Sequence, residues 1–314
     1  MEIYRSADEI KKQRPAAIAL GFFDGLHLGH AALINDCVSF AKERGLSADI
    51  FTFNDHPKNI MSGKLMIPRL ISEAEKLDRL SALGIDRVFD FDFADNFHTM
   101  GPEIFARELL ARAFSAKAVF CGFNFRFGAG ASGDPGALDA FGNDFGFETY
   151  VIDPVYVSGR LVSSSLIRRC INSGDVENAG RLLGRDFVLC GNVEKGSGFG
   201  HVMGFPTANF FQDPKMTVPA FGVYVTETIV DGEIYPSVSN VGICPTVKED
   251  GLVNVENHIL ETDMDLYGKE ILVHFKKMLR KEKRFSNEDA LKKQIAADAG
   301  SARAYFAVKP ALRS

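Results

Sequence analysis

Apolar and polar positions follow two different rhythms along this chain. In the first half, short β-rich runs alternate with segments of helical period. Residues 16–22 form an apolar run that reads as a strand. In Leu28–Arg44, Leu33, Ile34, Val38 and Ala41 fall at helical spacing, and Gly45 supplies the stop. Residues 48–53 read as a second strand. Ser72-Glu73-Ala74-Glu75 has the form of a capping box and opens a helix that runs to Leu83, before Gly84. Further β-rich runs cover residues 87–93, 118–121 and Glu148–Ile152, with the helical GPEIFARELLARAF between the first two. Repeated β–α alternation predicts an α/β domain: a parallel, Rossmann-like sheet with helices on both faces.

The rhythm changes near residue 184. The helical stretches Ser164–Asn172 and Val176–Leu183 end at Gly184. Strand patterns then dominate, at residues 187–193, Gly222–Val230, 234–240, 253–260 and 271–279. Asp231-Gly232 between two such runs is a hairpin signal. A last helix over residues 288–307 is expected to open at Ser286. Short strands at this spacing predict a small antiparallel β-barrel with a terminal helix. There is no low-complexity linker, so the division is placed tightly, with domains 1–184 and 185–314.

Composition narrows the class. A chain of 314 residues is comfortable for two domains, and 46% hydrophobic with 25% charged residues is ordinary for a globular protein. A net charge of −5 argues against nucleic acid as a general partner. The five cysteines, Cys37, Cys121, Cys170, Cys190 and Cys244, are odd in number and widely spaced. That pattern speaks against a disulfide framework or a thiolate zinc site and for a reducing compartment. No signal peptide or membrane span is read, so a cytoplasmic protein is expected.

Residues 21–30, GFFDGLHLGH, follow the first strand and open a helix. In parallel α/β sheets ligands bind at such strand ends, and exposed N–H groups at a helix N-terminus favour phosphate. Gly21 and Gly29 let backbone approach a ligand, while Phe22 and Asp24 share the turn. His27 and His30, three residues apart, would add side-chain donors. A zinc site lacks a regularly spaced third ligand. Capping or core histidines are the bland alternative, and phosphate binding fits best. The His-x-Gly-His pattern after a strand is the mark of nucleotidyltransferases, which align a phosphate acceptor with ATP and stabilise the leaving pyrophosphate. Asn54-Asp55-His56-Pro57 follows the second strand. The loop GFNFRFG places Asn124 and Arg126 at the same sheet edge, suited to a planar phosphorylated ligand, or else it is a surface loop with buried phenylalanines. Ser164 and Arg168, within VSSSLIR, read either as a helix cap with a following arginine or as a second phosphate contact.

Residues 195–209, KGSGFGHVMGFPTAN, hold Gly196, Gly198 and Gly200 in a candidate flap. Pro206 fixes the backbone before Thr207 and Asn209, neutral oxygen ligands suited to Mg²⁺ with nucleotide phosphates. Downstream, Glu256, His258 and Leu260 would share one strand face. A solvent-facing glutamate is the bland reading. A carboxylate that takes a proton from an alcohol beside Mg-ATP makes a kinase.

With these motifs in order, almost the whole chain resembles the bifunctional bacterial riboflavin kinase/FAD synthetase family. GFFDGLHLGH, FNDHP, GFNFRFG and VSSSLIR resemble its FMN adenylyltransferase module. GRLLGRDF, MGFPTANF, FGVYV, NVGICPTV, VENHIL, DLYG and LRKEKRF resemble its riboflavin kinase module. The resemblance implies ATP-dependent phosphorylation of riboflavin to FMN, then adenylylation of FMN to FAD, with Mg²⁺ and small-molecule partners only. By carry-over, His27 and His30 bind ATP phosphates, and Asn124, Ser164 and Arg168 contact nucleotide or flavin phosphate. Thr207 and Asn209 hold Mg-ATP, Glu256 is the base on the ribityl 5′-hydroxyl, and Arg280 reaches flavin or flap. Departures are Phe22 for a polar residue, Asn54 for an aspartate, and Cys244 and His201 for arginines. A chain with one working half and a non-catalytic flavin-binding regulator are the alternatives.

Overall fold

The computed structural model describes residues 1–10, 14–94, 97–194, 203–243, 252–262 and 264–308. The chain divides into two compact units, Met1–Ser163 and Ser164–Ser314.

The first unit contains strands β1 (Glu2–Tyr4), β2 (Ala16–Leu20), β3 (Ser47–Phe53), β4 (Arg87–Phe91), β5 (Ala116–Gly122) and β6 (Glu148–Ile152). They form one sheet in the order β1-β4-β3-β2-β5-β6, with every pairing parallel. Its helices are α1 (Leu28–Arg44), α2 (Pro57–Ser62), α3 (Glu73–Ala82), α4 (a turn Pro102–Ile104 continued by the π-wound Phe105–Ala113) and α5 (Pro135–Phe145). A small hairpin, β7 (Tyr156–Val157) and β8 (Arg160–Leu161), follows.

β2 is buried on both faces, which is why its sequence is an unbroken apolar run. Ala16, Ile18 and Leu20 join Phe51, Phe89, Phe91 and Phe114 in one core layer. Ala17 and Ala19 join Ile34, Ile50 and Val88 in the other. The alternation is that of a strand, with period two. The chain has 27 phenylalanines and no tryptophan, and much of this aromatic volume gathers around Phe51, whose ring lies 5.2–5.8 Å from those of Phe53, Phe91, Phe97, Phe105 and Phe114. Strand order reverses at β2: β3 and β4 lie on one side, β5 and β6 on the other. The loops after β2 and β5 therefore flank the switch point, where doubly wound sheets take their ligands.

At the opposite, N-terminal ends of β3 and β4, Arg87 and Asp49 form an ion pair with both side chains fully buried. Arg87 Nε lies 3.0 and 3.1 Å from the two carboxylate oxygens, Ser47 donates to Asp49 at 2.7 Å, and Arg87 Nη2 reaches the Arg14 carbonyl at 3.0 Å. Burial pushes the Asp49 carboxyl up, and the guanidinium opposes it.

The second unit begins with α6 (Ser164–Asn172) and α7 (Val176–Leu183). Strands β9 (Phe187–Asn192), β10 (Ala208–Phe211), β11 (Gly222–Val230), β12 (Glu233–Ile243), β13 (Val253–Ile259) and β14 (Glu270–Lys281) follow, then helix α8 (Glu288–Val308). The antiparallel order is β10-β13-β12-β11-β14-β9. Glu194 N–H donates to the Asn209 carbonyl at 2.7 Å and joins the two edge strands, so the sheet is a nearly closed barrel. Asp231 and Gly232 turn the predicted hairpin with φ of 51° and 86°, as a two-residue loop between right-twisted strands requires. Thr226, Thr228, Ser237, Ser239 and Asn257 are fully or almost fully buried and satisfy one another through bonds of 2.8–3.0 Å. On the other sheet face, Ala299 and Ala302 of α8 pack against Val225 and Leu260.

The predicted elements recur with shifted ends. The first strand stops at Leu20 because the chain turns out at Phe23, whose φ is 52°. Leu260 lies beyond β13, in the following turn, so only Glu256 and His258 of the predicted trio share the strand face. Helix α8 opens on Asn287, whose Oδ1 accepts from Ala290 N–H at 2.9 Å, instead of on Ser286. Cys37 and Cys121 are free buried thiols. Among the described residues, no helix is long and apolar enough to cross a membrane.

Candidate active sites

The loop after β2 is built around one aromatic ring and two imidazoles. Phe23, Gly25 and Leu26 all take positive φ, at 52°, 80° and 41°. The Phe23 ring is buried and meets His30 edge-on at 5.3 Å. His27 and His30 stack with ring centroids 3.7 Å apart and planes 12° from parallel. Two glycines make room for this: a Cβ on Gly21 would lie 3.1 Å from the Phe23 ring, and one on Gly29 3.3 Å from the His27 ring. His27 caps α1, its Nδ1 accepting from His30 N–H at 3.2 Å. With Nδ1 as acceptor, the proton of the neutral ring sits on Nε2. His30 Nδ1 is buried with no hydrogen-bond partner among the described residues. Burial above all, then the neighbouring His27 and the Lys76 charge, hold His30 well below the usual imidazole range, so it is neutral. Asp24 is buried and its Oδ1 accepts from Leu70 N–H at 2.8 Å, which pins the loop from the segment before α3.

Beside this loop lies a small recess to which Phe22, Asp24, Asn54, Arg69, Lys76 and Asp90 contribute. The Phe22 ring packs edge-on against His56 at 4.9 Å, and Lys76 Nζ lies 5.6 Å from its centre. Lys76 Nζ donates to the Phe22 carbonyl at 3.2 Å and to Thr52 Oγ1 at 3.0 Å. Asp90 is buried. Its Oδ2 pairs with Arg5, while Oδ1 has no partner among the described residues. Nothing local to GFFDGLHLGH announced Lys76 or Asp90, which come from α3 and β4. The loop after β5 exposes Asn124 and Arg126, and Arg126 pairs with Asp134 at 3.5 Å. Ser164 and Arg168 lie on α6, in the second unit.

In the barrel, Asn209, Glu256 and Asn240 stand in one row across β10, β13 and β12. Asn254 Nδ2 donates to Asn209 Oδ1 at 3.2 Å and to Glu256 Oε1 at 3.3 Å, and Asn209 Nδ2 donates to Thr207 Oγ1 at 3.3 Å. Burial raises the Glu256 carboxyl above its ordinary range; Asn240 opposes this and the Glu282 charge adds to it. Glu282 has space because Gly242 lacks a side chain: a Cβ there would lie 2.3 Å from Glu282 Oε1. His258, kept neutral by burial, donates Nδ1–H to the Pro206 carbonyl at 2.8 Å and so holds the Pro-Thr turn. Arg280 is engaged by Asp298 of α8 at 2.9 Å. Asn254 was missed by the sequence reading, although its place two residues before Glu256 on a strand puts both on one face. Gly196, Gly198, Gly200, His201 and Cys244 lie outside the described residues.

The first unit thus offers two stacked imidazoles, that of His30 neutral, at a helix N-terminus, and the second a carboxylate among neutral amides. This is equipment for nucleotidyl and phosphoryl transfer, and the molecule is a transferase.

Two family models match the chain: FAD synthetase over residues 9–166 and riboflavin kinase over residues 183–306. The bifunctional riboflavin kinase/FMN adenylyltransferase of Escherichia coli is 34% identical over 302 residues, 95% of this chain and 96% of that protein. The protein of the same name from Pseudomonas fluorescens is 32% identical over 98% of both chains. That from Listeria monocytogenes is 31% identical over 92% of both. A crystal structure from Streptococcus pneumoniae, titled a macrolide-efflux protein, superposes with a TM-score of 0.87 and 28% identity over 96% of this chain and 98% of that one. The chain belongs to the bifunctional riboflavin kinase/FMN adenylyltransferase family. It phosphorylates riboflavin to FMN and adenylylates FMN to FAD, with ATP as co-substrate.

Proposed function

We propose that FMN adenylylation takes place at the His27–His30 loop of the first unit and riboflavin phosphorylation beside Glu256 in the second. The observation that carries this is the separation of the two chemistries. The stacked imidazoles belong to one compact unit, and the half-buried carboxylate with its amides belongs to the other.

In the first unit, His27 Nε2–H donates to the ATP phosphates, and neutral His30 stacks behind it and stabilises charge on the departing pyrophosphate. FMN phosphate attacks the α-phosphorus directly, so the loop works by alignment and charge stabilisation. Gly21, Phe22, Gly29, Asn124 and Arg126 line the approach. Asp24 serves by pinning the loop. Ser164 and Arg168 are assigned to the nucleotide by the resemblance alone.

In the barrel, Glu256 takes the proton of the ribityl 5′-hydroxyl as that oxygen attacks the γ-phosphorus. Its raised pKa suits a base that must bind a proton firmly during transfer. Thr207 Oγ1 and Asn209 Oδ1 are hard, neutral oxygens of the kind Mg²⁺ accepts. The fit is supported by Asn254 Oδ1 beside them, a buried oxygen without a hydrogen-bond partner among the described residues. Thr207 Oγ1 and Asn209 Oδ1 would hold Mg²⁺, which would supply neutralisation of charge on the nucleotide phosphates. Pro206 sets the turn that presents Thr207, and Arg280 reaches the flavin when it leaves Asp298.

The division of labour is drawn at residues 1–184 and 185–314; α6 and α7 are the segment on which it turns. The net charge of −5 and the free buried thiols Cys37 and Cys121 support a cytoplasmic enzyme of small molecules, without nucleic-acid partners. The test supplies riboflavin or FMN separately with Mg-ATP and resolves the products by chromatography. A substitution in one site that removes both activities from folded protein overturns the reading.

A further inference from the structure

The loop between β2 and α1 holds two side-chain-bearing residues, Phe23 and Leu26, in left-handed conformations. Such geometry persists only where its surroundings over-determine it. One fixed point is Asp24, held by Leu70 N–H. The other is the Phe22 carbonyl, which takes two donors: Thr52 Oγ1 at 3.0 Å and Lys76 Nζ at 3.2 Å. Lys76 also donates to Thr52 Oγ1 at 3.0 Å, so the three groups close a triangle.

The Thr52 hydroxyl alone satisfies that carbonyl. Placing an ammonium there as well is unfavourable, because a charge taken out of water is costly without compensation. Both oxygens that Lys76 donates to are neutral, and burial depresses its pKa, with the fields of Asp90 and Asp24 acting against the depression. A positive charge held in this way, one residue from the turn that carries the imidazoles, needs a reason beyond packing. Anionic phosphates bound at that turn supply one.

We propose that Lys76 is a positioning residue for adenylyl transfer: clamped behind Phe22, it fixes the 21–27 loop and lends its field to the phosphates that His27 and His30 receive. The inference rests on the assignment of adenylyl transfer to that loop. Lys76 acts through the loop and makes no contact with the reacting atoms. His27 and Lys76 are the charged or titratable groups that act on the His30 ring.

The test uses the full chain with Lys76→Met, Lys76→Arg and Thr52→Val. In Lys76→Met, kcat for FMN adenylylation falls about 10²-fold, the scale of a misplaced reacting geometry. Riboflavin phosphorylation stays at the wild-type rate, and the His30 imidazole titrates at higher pH by NMR. Lys76→Arg recovers the rate to within about tenfold and leaves the His30 midpoint in place; Thr52→Val, which keeps the charge, loses less than about tenfold. Adenylylation within about threefold of wild type in Lys76→Met overturns the inference. So do equal losses in the Met and Arg variants with His30 unmoved, the signature of packing alone. A His30→Ala protein that keeps full adenylylation sinks the site assignment and this inference together, whereas an active Lys76→Met sinks this inference only.

Discussion

Asn209 and Glu256 face each other on adjacent strands, and a single amide group, that of Asn254, donates to both. The carboxylate of the barrel and the amide oxygen opposite it are thereby held at one spacing by a shared neighbour. Strand register sets the distance, and the amide sets the orientation.

Replacing Glu256 by glutamine keeps the volume and the row but removes the base. FMN formation from riboflavin should fall by about 10²–10⁴-fold, the usual worth of a positioned general base. Conversion of supplied FMN to FAD should be unaffected. Chromatography of the two separate incubations reads both outcomes.

His30→Ala should do the reverse. Loss of the imidazole stacked on His27 should cost adenylylation about 10²–10³-fold, as for other preorganised charge stabilisers. FMN should then accumulate from riboflavin without FAD. An FAD yield equal to wild type would contradict the role given to the histidine pair.

The acid limb of the kinase pH profile should lie above the ordinary carboxylate range, because Glu256 must be ionised and burial raises its pKa. Glu282→Gln removes a neighbouring negative charge and should move that limb to lower pH. The sign for stability follows from linkage. A carboxyl whose folded pKa exceeds its unfolded one is proton-bound more tightly in the fold, so its ionisation opposes folding. The penalty is absent below the unfolded value and complete above the folded one. Glu256→Gln should therefore raise stability at neutral pH, by about 0.5–2 kcal/mol, as when a functional strain is relieved. Thermal unfolding at neutral and acidic pH checks this, with the gain fading in acid.

Asp49→Ala leaves Arg87 charged and buried without its carboxylate. Breaking a buried pair on one side costs about 3–5 kcal/mol. The loss should appear in denaturant unfolding of the first unit, while the kinase reaction retains its rate.

Much of this molecule was legible before any coordinates. The unbroken run at β2, the helix ending at Gly45 and the Asp231-Gly232 turn each carry a local signal strong enough to set an element. β1 did not, being three residues at a sheet edge paired with a strand 85 positions away. Helix α5 was hidden by Gly136 and Gly142, although Asp134 caps it and Pro135 starts it. Around the His27–His30 loop, the residues of the motif itself were found, and Lys76 and Asp90, brought by α3 and β4, were not. His27 and His30 share a turn, so spacing exposed them. Lys76 reaches the same loop from α3, across 54 positions, and only the fold makes them neighbours.

The hydrogen bond from Glu194 to Asn209 closes the barrel, and Asn209 also belongs to the row that contains Glu256. Shutting the seam and the proposed holding of the kinase ligand therefore draw on the same residue. By mass action, a ligand that favours the closed barrel suppresses fraying of its edge. The slowing of hydrogen exchange at one amide, that of Glu194, becomes a gauge of occupancy for the kinase site, readable with no turnover at all.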